Sequence, residues 1–163
     1  MLSSKKLKYV CQGNSYGCGP TLLKNVRIWS SGVSLSNKQL IELCGGKERV
    51  KESGTNIDVV NVLLGSICGV DIQKVSHGAK LREINKHLDS GGIVALAHLL
   101  KEEDCGHYCL ILSRTKNRYV IVNAYENRVF SRITPQSLQK TLNLDRWSLG
   151  CYNCSVVWFL TKQ

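Results

Sequence analysis

Apolar residues recur at helical spacing through the first half of the chain, for example at Leu22, Val26 and Trp29. Glycines, serines and asparagines interrupt the pattern and mark where helices begin and end. The pattern predicts helices over Cys18 to about Ser31, Ser36–Cys44, Ile57–Cys68, Leu81–Leu88 and, later in the chain, Pro135–Leu142. The charged stretch Lys47–Ser53 is predicted to be a connection rather than a helix.

In the second half, the apolar residues form short β-rich runs that turn residues separate. The predicted strands are Ile93–Leu99, His107–Ser113, Tyr119–Ala124, Val129–Ile133 and Ser155–Leu160, and a weaker alternation predicts one more at Val70–Val75. Helices followed by an antiparallel sheet are typical of an α+β domain. We therefore predict an α+β fold in which N-terminal helices pack on a C-terminal antiparallel sheet. Residues 1–163 are expected to form a single domain.

The composition is that of a globular protein. The chain has 163 residues, of which 43% are hydrophobic and 21% are charged, enough for one buried core. No apolar run approaches the length that spans a bilayer, and the first ten residues lack the apolar stretch of a secretory signal. We therefore expect a soluble, cytoplasmic protein without a membrane-spanning segment, in which the eight cysteines are reduced.

The net charge of +10 is large for a chain of this size. It favours an acidic partner, such as an acidic segment of a peptide or protein. The lysines and arginines are scattered, and no basic cluster alternates with aromatic residues, so the pattern argues against a nucleic acid. A solvated basic face without a partner is the alternative interpretation.

The stretch Gln12–Pro20 is rich in glycine and leads directly into the first helix. Because proline is tolerated in a first helical turn, Cys18 is predicted to lie at the amino end of that helix. Unpaired backbone N–H groups and the helix dipole favour a thiolate there, and a thiolate is a good nucleophile. The amide of Gln12 and the N–H of Cys18 are candidates for binding the oxyanion of a tetrahedral intermediate. The alternative is a buried cysteine in a turn that only caps the helix.

A histidine and an asparagine in the second half are candidates for a base and its partner. His107 begins one predicted strand, Asn123 ends the next, and a tight turn at Thr115–Asn117 joins the two strands. Antiparallel neighbours place the start of one strand opposite the end of the other, so His107 and Asn123 are predicted to lie side by side. A thiol facing this pair would complete a set of nucleophile, base and orienting residue.

These motifs resemble those of papain-like cysteine peptidases. The resemblance lies in Gln12, in Cys18-Gly19-Pro20 opening a helix, in Gly106-His107-Tyr108 opening a strand, and in Asn123 ending the next strand. Within that group the chain is most similar to the bacteriocin-processing peptidases, which cut leader peptides after a double glycine. The resemblance covers essentially the whole chain and implies a papain-like fold.

The resemblance also implies an activity and a role for each residue. It implies a cysteine peptidase acting on a peptide or protein substrate, with no metal and no cofactor. Cys18 would be the nucleophile, His107 the general base and acid, and Asn123 the residue that orients the imidazole. Gln12 would be the oxyanion donor, and Gly17, Gly106 and Tyr125 are expected to contact the substrate.

Two positions depart from the pattern of the bacteriocin-processing family. Asn123-Ala124 stands where that family usually has aspartate followed by proline, and Gly17 stands where it usually has an acidic residue. An asparagine serves the same purpose in papain, so the departure is compatible with activity. It removes a charge from the site, and the fold therefore carries over more directly than the double-glycine specificity.

The other histidines and cysteines are assigned structural roles. His98 is expected on a sheet face or in the core, His77 and His87 on the surface, and Cys44 and Cys68 in the core. The five possible zinc ligands are Cys105, His107, Cys109, Cys151 and Cys154. One Cys-x-x-Cys pair is a weak zinc signal, because a structural site needs a second well-spaced pair.

Two alternatives to peptide hydrolysis stay open at the level of sequence. The same residues suit an acyltransferase, a transglutaminase-like enzyme or a deamidase, because an acyl-thioester does not dictate which group attacks it. A non-catalytic basic binding module is the other alternative.

Overall fold

The computed structural model describes residues 7–14, 16–76, 78–99, 106–125, 127–143 and 156–163. Its helices are α1 (Cys18–Ser31), α2 (Asn37–Leu43), α3 (Lys47–Ser53), α4 (Ile57–Cys68), α5 (Leu81–Asp89) and α6 (Pro135–Leu142). Its strands are β1 (Val70–Val75), β2 (Ile93–Leu99), β3 (Gly106–Arg114), β4 (Tyr119–Tyr125), β5 (Arg128–Ile133) and β6 (Val156–Lys162). The predicted α+β class is confirmed. Within these ranges, no helix combines the length and the apolar character needed to cross a membrane.

The strands form one antiparallel sheet in the order β1-β6-β2-β3-β4-β5, which leaves β1 and β5 as the edges among the described residues. Successive residues of a strand face opposite sides of a sheet, and both sides of this sheet are covered by apolar side chains. On β6, Trp158 packs in the layer formed with α1 and α4, whereas Val157 packs in the layer formed with α5 and α6.

Most of the predicted elements are confirmed, and α4, β1, β2 and α6 have the predicted bounds. The predicted connection over Lys47–Ser53 is wrong, because these residues form α3. Val50 is the one buried residue of this short helix, so the helix lacks the apolar period by which longer helices are identified. Strand β6 continues past its predicted end at Leu160, because Lys162 pairs with Val70 of β1.

The buried side chain of Asn25 joins α1 to the extended segment that precedes it. Its Oδ1 accepts a hydrogen bond from the Val10 N–H, and its Nδ2 donates to the Val10 carbonyl, both at 2.9 Å. The side-chain amide thus pairs with the backbone as a neighbouring strand would. This contact holds the segment that carries Gln12 against the helix that begins at Cys18.

Gly19 allows the first turn of α1 to pack closely against Thr55, which precedes α4. A Cβ at Gly19 would overlap the side chain of Thr55, so the contact requires glycine. The hydroxyl of Tyr108, on β3, donates to the carbonyl of Thr55 at 2.7 Å. The beginnings of α1, α4 and β3 therefore meet at one place.

Candidate active site

Cys18 is the first residue of α1 and follows the N-cap residue Gly17. The side chain of Cys18 is 7% exposed and lies in the same apolar cluster as Tyr108 of β3. The first turn of α1 contains no acidic side chain, and the backbone N–H groups of a first turn favour a negative charge. The position is therefore suited to a thiolate.

The electrostatic effect of Cys18 reaches the beginning of β3. Burial, and to a smaller extent the negative charge of Cys18, raise the pKa of Cys109 to about 12. Burial also raises the pKa of Tyr108, with further increases from the charges of Cys18 and Cys44. Independently of these shifts, Tyr108, the residue after His107, packs in the same buried apolar cluster as Cys18.

The buried thiols away from the helix start have the opposite character. Burial raises the pKa of Cys44 to about 11 and that of Cys68 to about 12. Both side chains are buried, as the sequence predicted. Together with Cys109 they are protonated at neutral pH and are poor nucleophiles.

His107 is the second residue of β3 and is 4% exposed. Its Nε2 lies 2.6 Å from the backbone carbonyl oxygen of Asn123. A carbonyl oxygen only accepts hydrogen bonds, so Nε2 carries the proton in this contact. In the neutral ring, Nδ1 then has the lone pair and is the nitrogen that acts as a base.

Asn123 makes its contact with His107 through the backbone, not through the side-chain amide that the sequence led us to expect. The last residue pair between β3 and β4 is Leu110 with Val122, so Asn123 lies beyond the regular ladder and is not directly opposite His107. Its φ of 59° is the one positive value among the described residues other than glycine. Asparagine tolerates this left-handed conformation better than most residues.

The side chain of Asn123 is fully buried and binds Gln12 in both directions. Asn123 Oδ1 accepts from the Gln12 N–H at 2.9 Å, and Asn123 Nδ2 donates to Gln12 Oε1 at 3.0 Å. Asn123 Nδ2 also donates to the carbonyl of Tyr108 at 3.3 Å. One residue therefore contacts the candidate base through its backbone and the candidate oxyanion donor through its side chain.

The amide of Gln12 has a fixed orientation. Because Gln12 Oε1 accepts from Asn123, its Nε2 points to the other side, where it donates to the carbonyl of Asn14 at 2.5 Å. An amide nitrogen has two N–H donors, so one remains for a further acceptor. Asn14, which sequence analysis missed, also accepts from the Tyr16 N–H at 3.1 Å through its side chain. The position of Asn14 two residues before Tyr16 could have indicated this contact, since asparagine side chains commonly bind the backbone two residues further along the chain.

The three residues expected to contact the substrate have different surroundings. Gly17 is buried, and a Cβ there would lie 2.8 Å from Asn14 Oδ1. Gly106 is exposed, and a Cβ there would meet nothing within 4 Å. Tyr125 ends β4 and pairs with Arg128 of β5.

The other histidines differ from the prediction in one case. His98 lies on β2 directly opposite His107, with the ring centroids 5.6 Å apart in an edge-to-face arrangement. His87, expected on the surface, is half-buried: its Nε2 lies 3.0 Å from the carbonyl of Leu160, and its ring meets that of Phe159. In the sequence, His87 is one polar residue on a short helix, and the local pattern does not indicate its contacts with β6. His77 lies outside the described residues.

Within the described residues, no group of three or more histidine, cysteine and acidic side chains is arranged to hold a metal ion. Of the candidate zinc ligands, His107 and Cys109 are both described and buried. Cys105, Cys151 and Cys154 lie outside the described residues.

Neither a family model nor a curated protein matches this sequence, but solved structures match its fold. The peptidase domain of Streptococcus ComA, a bifunctional ABC transporter involved in a quorum-sensing pathway, has a TM-score of 0.69 and 18% identity. The match covers 96% of this chain and 99% of that one.

Two further structures extend the likeness. A C39-like peptidase from Bacillus anthracis has a TM-score of 0.68 and 10% identity, covering 97% of this chain and 96% of that one. A double glycine motif protease from an AMS/PCAT transporter, in complex with a leader peptide, has a TM-score of 0.64 and 10% identity, covering 97% and 93%. At these identities the comparison establishes the fold. The predicted likeness to the fold of double-glycine peptidase domains is confirmed.

Proposed function

We propose that the protein is a cysteine peptidase in which Cys18 is the nucleophile and His107 the base. The observation that carries the proposal is that Asn123 binds both His107 and Gln12. Its carbonyl holds the His107 imidazole at 2.6 Å, and its side chain holds the Gln12 amide at 3.0 Å. A base and an oxyanion donor held by one residue, together with a thiol at the amino end of a helix, are the components of thiol-dependent acyl transfer.

The reaction begins when Nδ1 of His107 takes the proton of the Cys18 thiol. The thiolate attacks the carbonyl carbon of a peptide bond, and the carbonyl oxygen becomes an oxyanion. The remaining N–H of the Gln12 amide and the backbone N–H of Cys18 stabilise that charge. The Asn123 carbonyl, which accepts from Nε2, stabilises the imidazolium and keeps its orientation.

The imidazolium then returns its proton to the departing amine, which leaves an acyl-thioester on Cys18. His107 next removes a proton from water, the resulting hydroxide attacks the thioester, and the second product leaves with a carboxyl group. The proton goes to the departing thiolate, so the enzyme returns to its starting state. No other group is consumed.

The substrate in this proposal is a peptide or protein. One of the structural neighbours is a protease in complex with a leader peptide, which supports a peptide as the class of substrate. Specificity for a double glycine is not included, because Asn123 and Gly17 depart from the residues usual in that family.

The test combines a peptide library with mass spectrometry. The wild-type protein should generate new termini in the library, and Cys18→Ala and His107→Ala should generate none while remaining folded by circular dichroism. Cys11→Ser is the matched control, because Cys11 is a half-buried free thiol outside the proposed machinery. Cleavage that survives Cys18→Ala ends the proposal. A mass change without chain cleavage points to acyl transfer or deamidation instead.

A further inference from the structure

Strand β5 is an edge of the sheet in the part of the chain that the structure describes. One side of its backbone therefore has no neighbouring strand there, which is the arrangement that accepts an added strand. Exposed and half-buried residues alternate along β5, with Arg128, Phe130 and Arg132 exposed. The three side chains project to the same side at a spacing of two residues.

A pocket lies beside the middle of this strand. It has a volume of about 450 Å³ and is lined by Val120, Phe130, Ser131 and Arg132. Phe130 is 54% exposed, and its ring makes an edge-to-face contact with Tyr9, with centroids 6.0 Å apart. The aromatic ring is therefore supported from one side and open on the other, with an arginine two residues away in each direction.

The charged residues in the chain segments around β5 are almost all positive. From Gly106 to Asn143 the sequence has one acidic residue, Glu126. The basic residues over the same range are Arg114, Lys116, Arg118, Arg128, Arg132 and Lys140. The two ion pairs of the described residues, Arg114 with Asp89 and Lys74 with Asp58, involve neither arginine of β5. These guanidinium groups are therefore available to carboxylates from outside the chain.

We propose that β5 binds an extended acidic segment of a protein partner by strand addition. The backbone of the partner pairs with the β5 edge, and an apolar side chain of the partner enters the pocket beside Phe130. Carboxylates two residues before and after that side chain meet Arg128 and Arg132. On both strands, the side chains that face one side recur every two residues. The apolar contact and the two carboxylate contacts can therefore form together. Binding requires no reaction at Cys18, and the inference therefore goes beyond the proposed peptidase activity.

The observations favour a peptide segment over a nucleic acid. A phosphate backbone needs positive charge but makes no use of an unpaired strand edge. The arginines of β5 also alternate with a single aromatic ring rather than with the several stacking surfaces that bind single-stranded nucleic acid. A nucleic acid is nevertheless included in the test, as the outcome that would replace this proposal.

The first experiment uses the intact protein with Cys18→Ser, so that binding is measured without cleavage. The probe is a fluorescein-labelled peptide that alternates glutamate with valine and has a central leucine, followed by fluorescence anisotropy. Its control has glutamine in place of every glutamate. The acidic peptide should bind about three- to tenfold more tightly than the glutamine peptide at low salt, and the difference should shrink as salt is added. Equal affinities overturn the proposal.

The second experiment tests backbone pairing without altering the protein. Alternate N–H groups of a strand point to opposite edges, so two peptides are methylated on alternate sets of nitrogens. One set should abolish binding and the other should leave it intact. If both peptides bind equally well, or if neither binds, the partner does not add as a strand and the proposal fails.

The third experiment locates the surface. Arg128→Ser/Arg132→Ser and Phe130→Ala should each weaken the acidic peptide by about three- to tenfold. Lys116→Ser/Lys140→Ser removes the same net charge from a neighbouring turn and helix, and should change affinity by less than about twofold. Equal loss from the two double variants, or tighter binding of a single-stranded oligonucleotide of equal charge, would contradict the assignment.

Discussion

The backbone carbonyl of Asn123, not its side chain, accepts the hydrogen bond from His107 Nε2, at a distance of 2.6 Å. This is possible because Asn123 has a φ of 59°, which turns the chain out of the regular ladder. Its side chain is thereby released to hold Gln12 through two hydrogen bonds. The orientation of His107, the proposed base, and the position of Gln12, the proposed oxyanion donor, thus depend on separate groups of one residue, and substitutions can separate them.

Asn123→Gly is the variant that makes this separation. Glycine adopts a positive φ without strain, so the carbonyl contact with His107 should persist while Gln12 loses both bonds to the side chain. We expect kcat to fall by up to about 100-fold, with the acid limb of the pH–rate profile in its original place. Asn123→Ala should lose a further 1–2 kcal/mol, roughly, in the free energy of unfolding, because alanine is strained at this φ. A profile displaced in the glycine variant would contradict the assignment.

Gln12→Ala should lower kcat by about 100- to 1000-fold and change KM little, because the lost N–H acts on the oxyanion rather than on the bound substrate. The matched change is Gln39→Ala, since Gln39 makes a comparable side-chain hydrogen bond in the capping box of α2. That control should affect stability alone, by about 1 kcal/mol. Steady-state kinetics of both variants provide the comparison, and an unchanged kcat in Gln12→Ala removes this glutamine from the mechanism.

Gly19→Ala should destabilise the protein by about 1–3 kcal/mol, because a Cβ at this position in the first turn of α1 overlaps the side chain of Thr55. Gly65→Ala on α4 is the control, since a Cβ there meets only Ile72 at an ordinary 3.6 Å. Alanine has the higher helix propensity, so this control should be neutral or more stable by up to about 1 kcal/mol. Urea unfolding of both variants checks the prediction, and equal stabilities would show that the close packing is absent.

Three buried thiols should make the protein less stable at high pH. The folded-state pKa is about 11 for Cys44 and about 12 for Cys68 and Cys109, above the ordinary thiol value of about 8.5. The unfolded chain therefore releases these protons first. Their stabilisation is fully present below a pH of about 8.5 and is lost progressively as pH rises toward the folded-state values.

The check for that prediction is urea unfolding in a reducing buffer at several pH values between about 8 and 10.5. The free energy of unfolding should fall across the range, and Cys68→Ala should weaken the pH dependence although it lowers stability overall. Iodoacetamide mapped by mass spectrometry gives an independent reading. Cys44, Cys68 and Cys109 should stay unlabelled in the folded protein at neutral pH. Rapid labelling of these three would show that they are not buried.

Much of the molecule was determined by the sequence alone, because helices and strands depend on local spacing and on nearby turn residues. Thus α4, β1, β2 and α6 were predicted with their observed bounds, and Cys18 was placed at the start of α1 from the proline two residues later. The helix α3 was missed, since Val50 by itself creates no period. The candidate base and its partner were identified by residue type and strand order.

The tertiary structure decided which atoms of those residues face one another. Asn123 and Gln12 are 111 residues apart in the chain, and no local pattern reports a contact across such a distance. Three features depend on how the end of β4 meets the segment before α1. They are the positive φ of Asn123, the resulting carbonyl contact with His107 and the fixed amide of Gln12. Sequence spacing determines which side chains are near a site, whereas packing between distant segments determines their orientation.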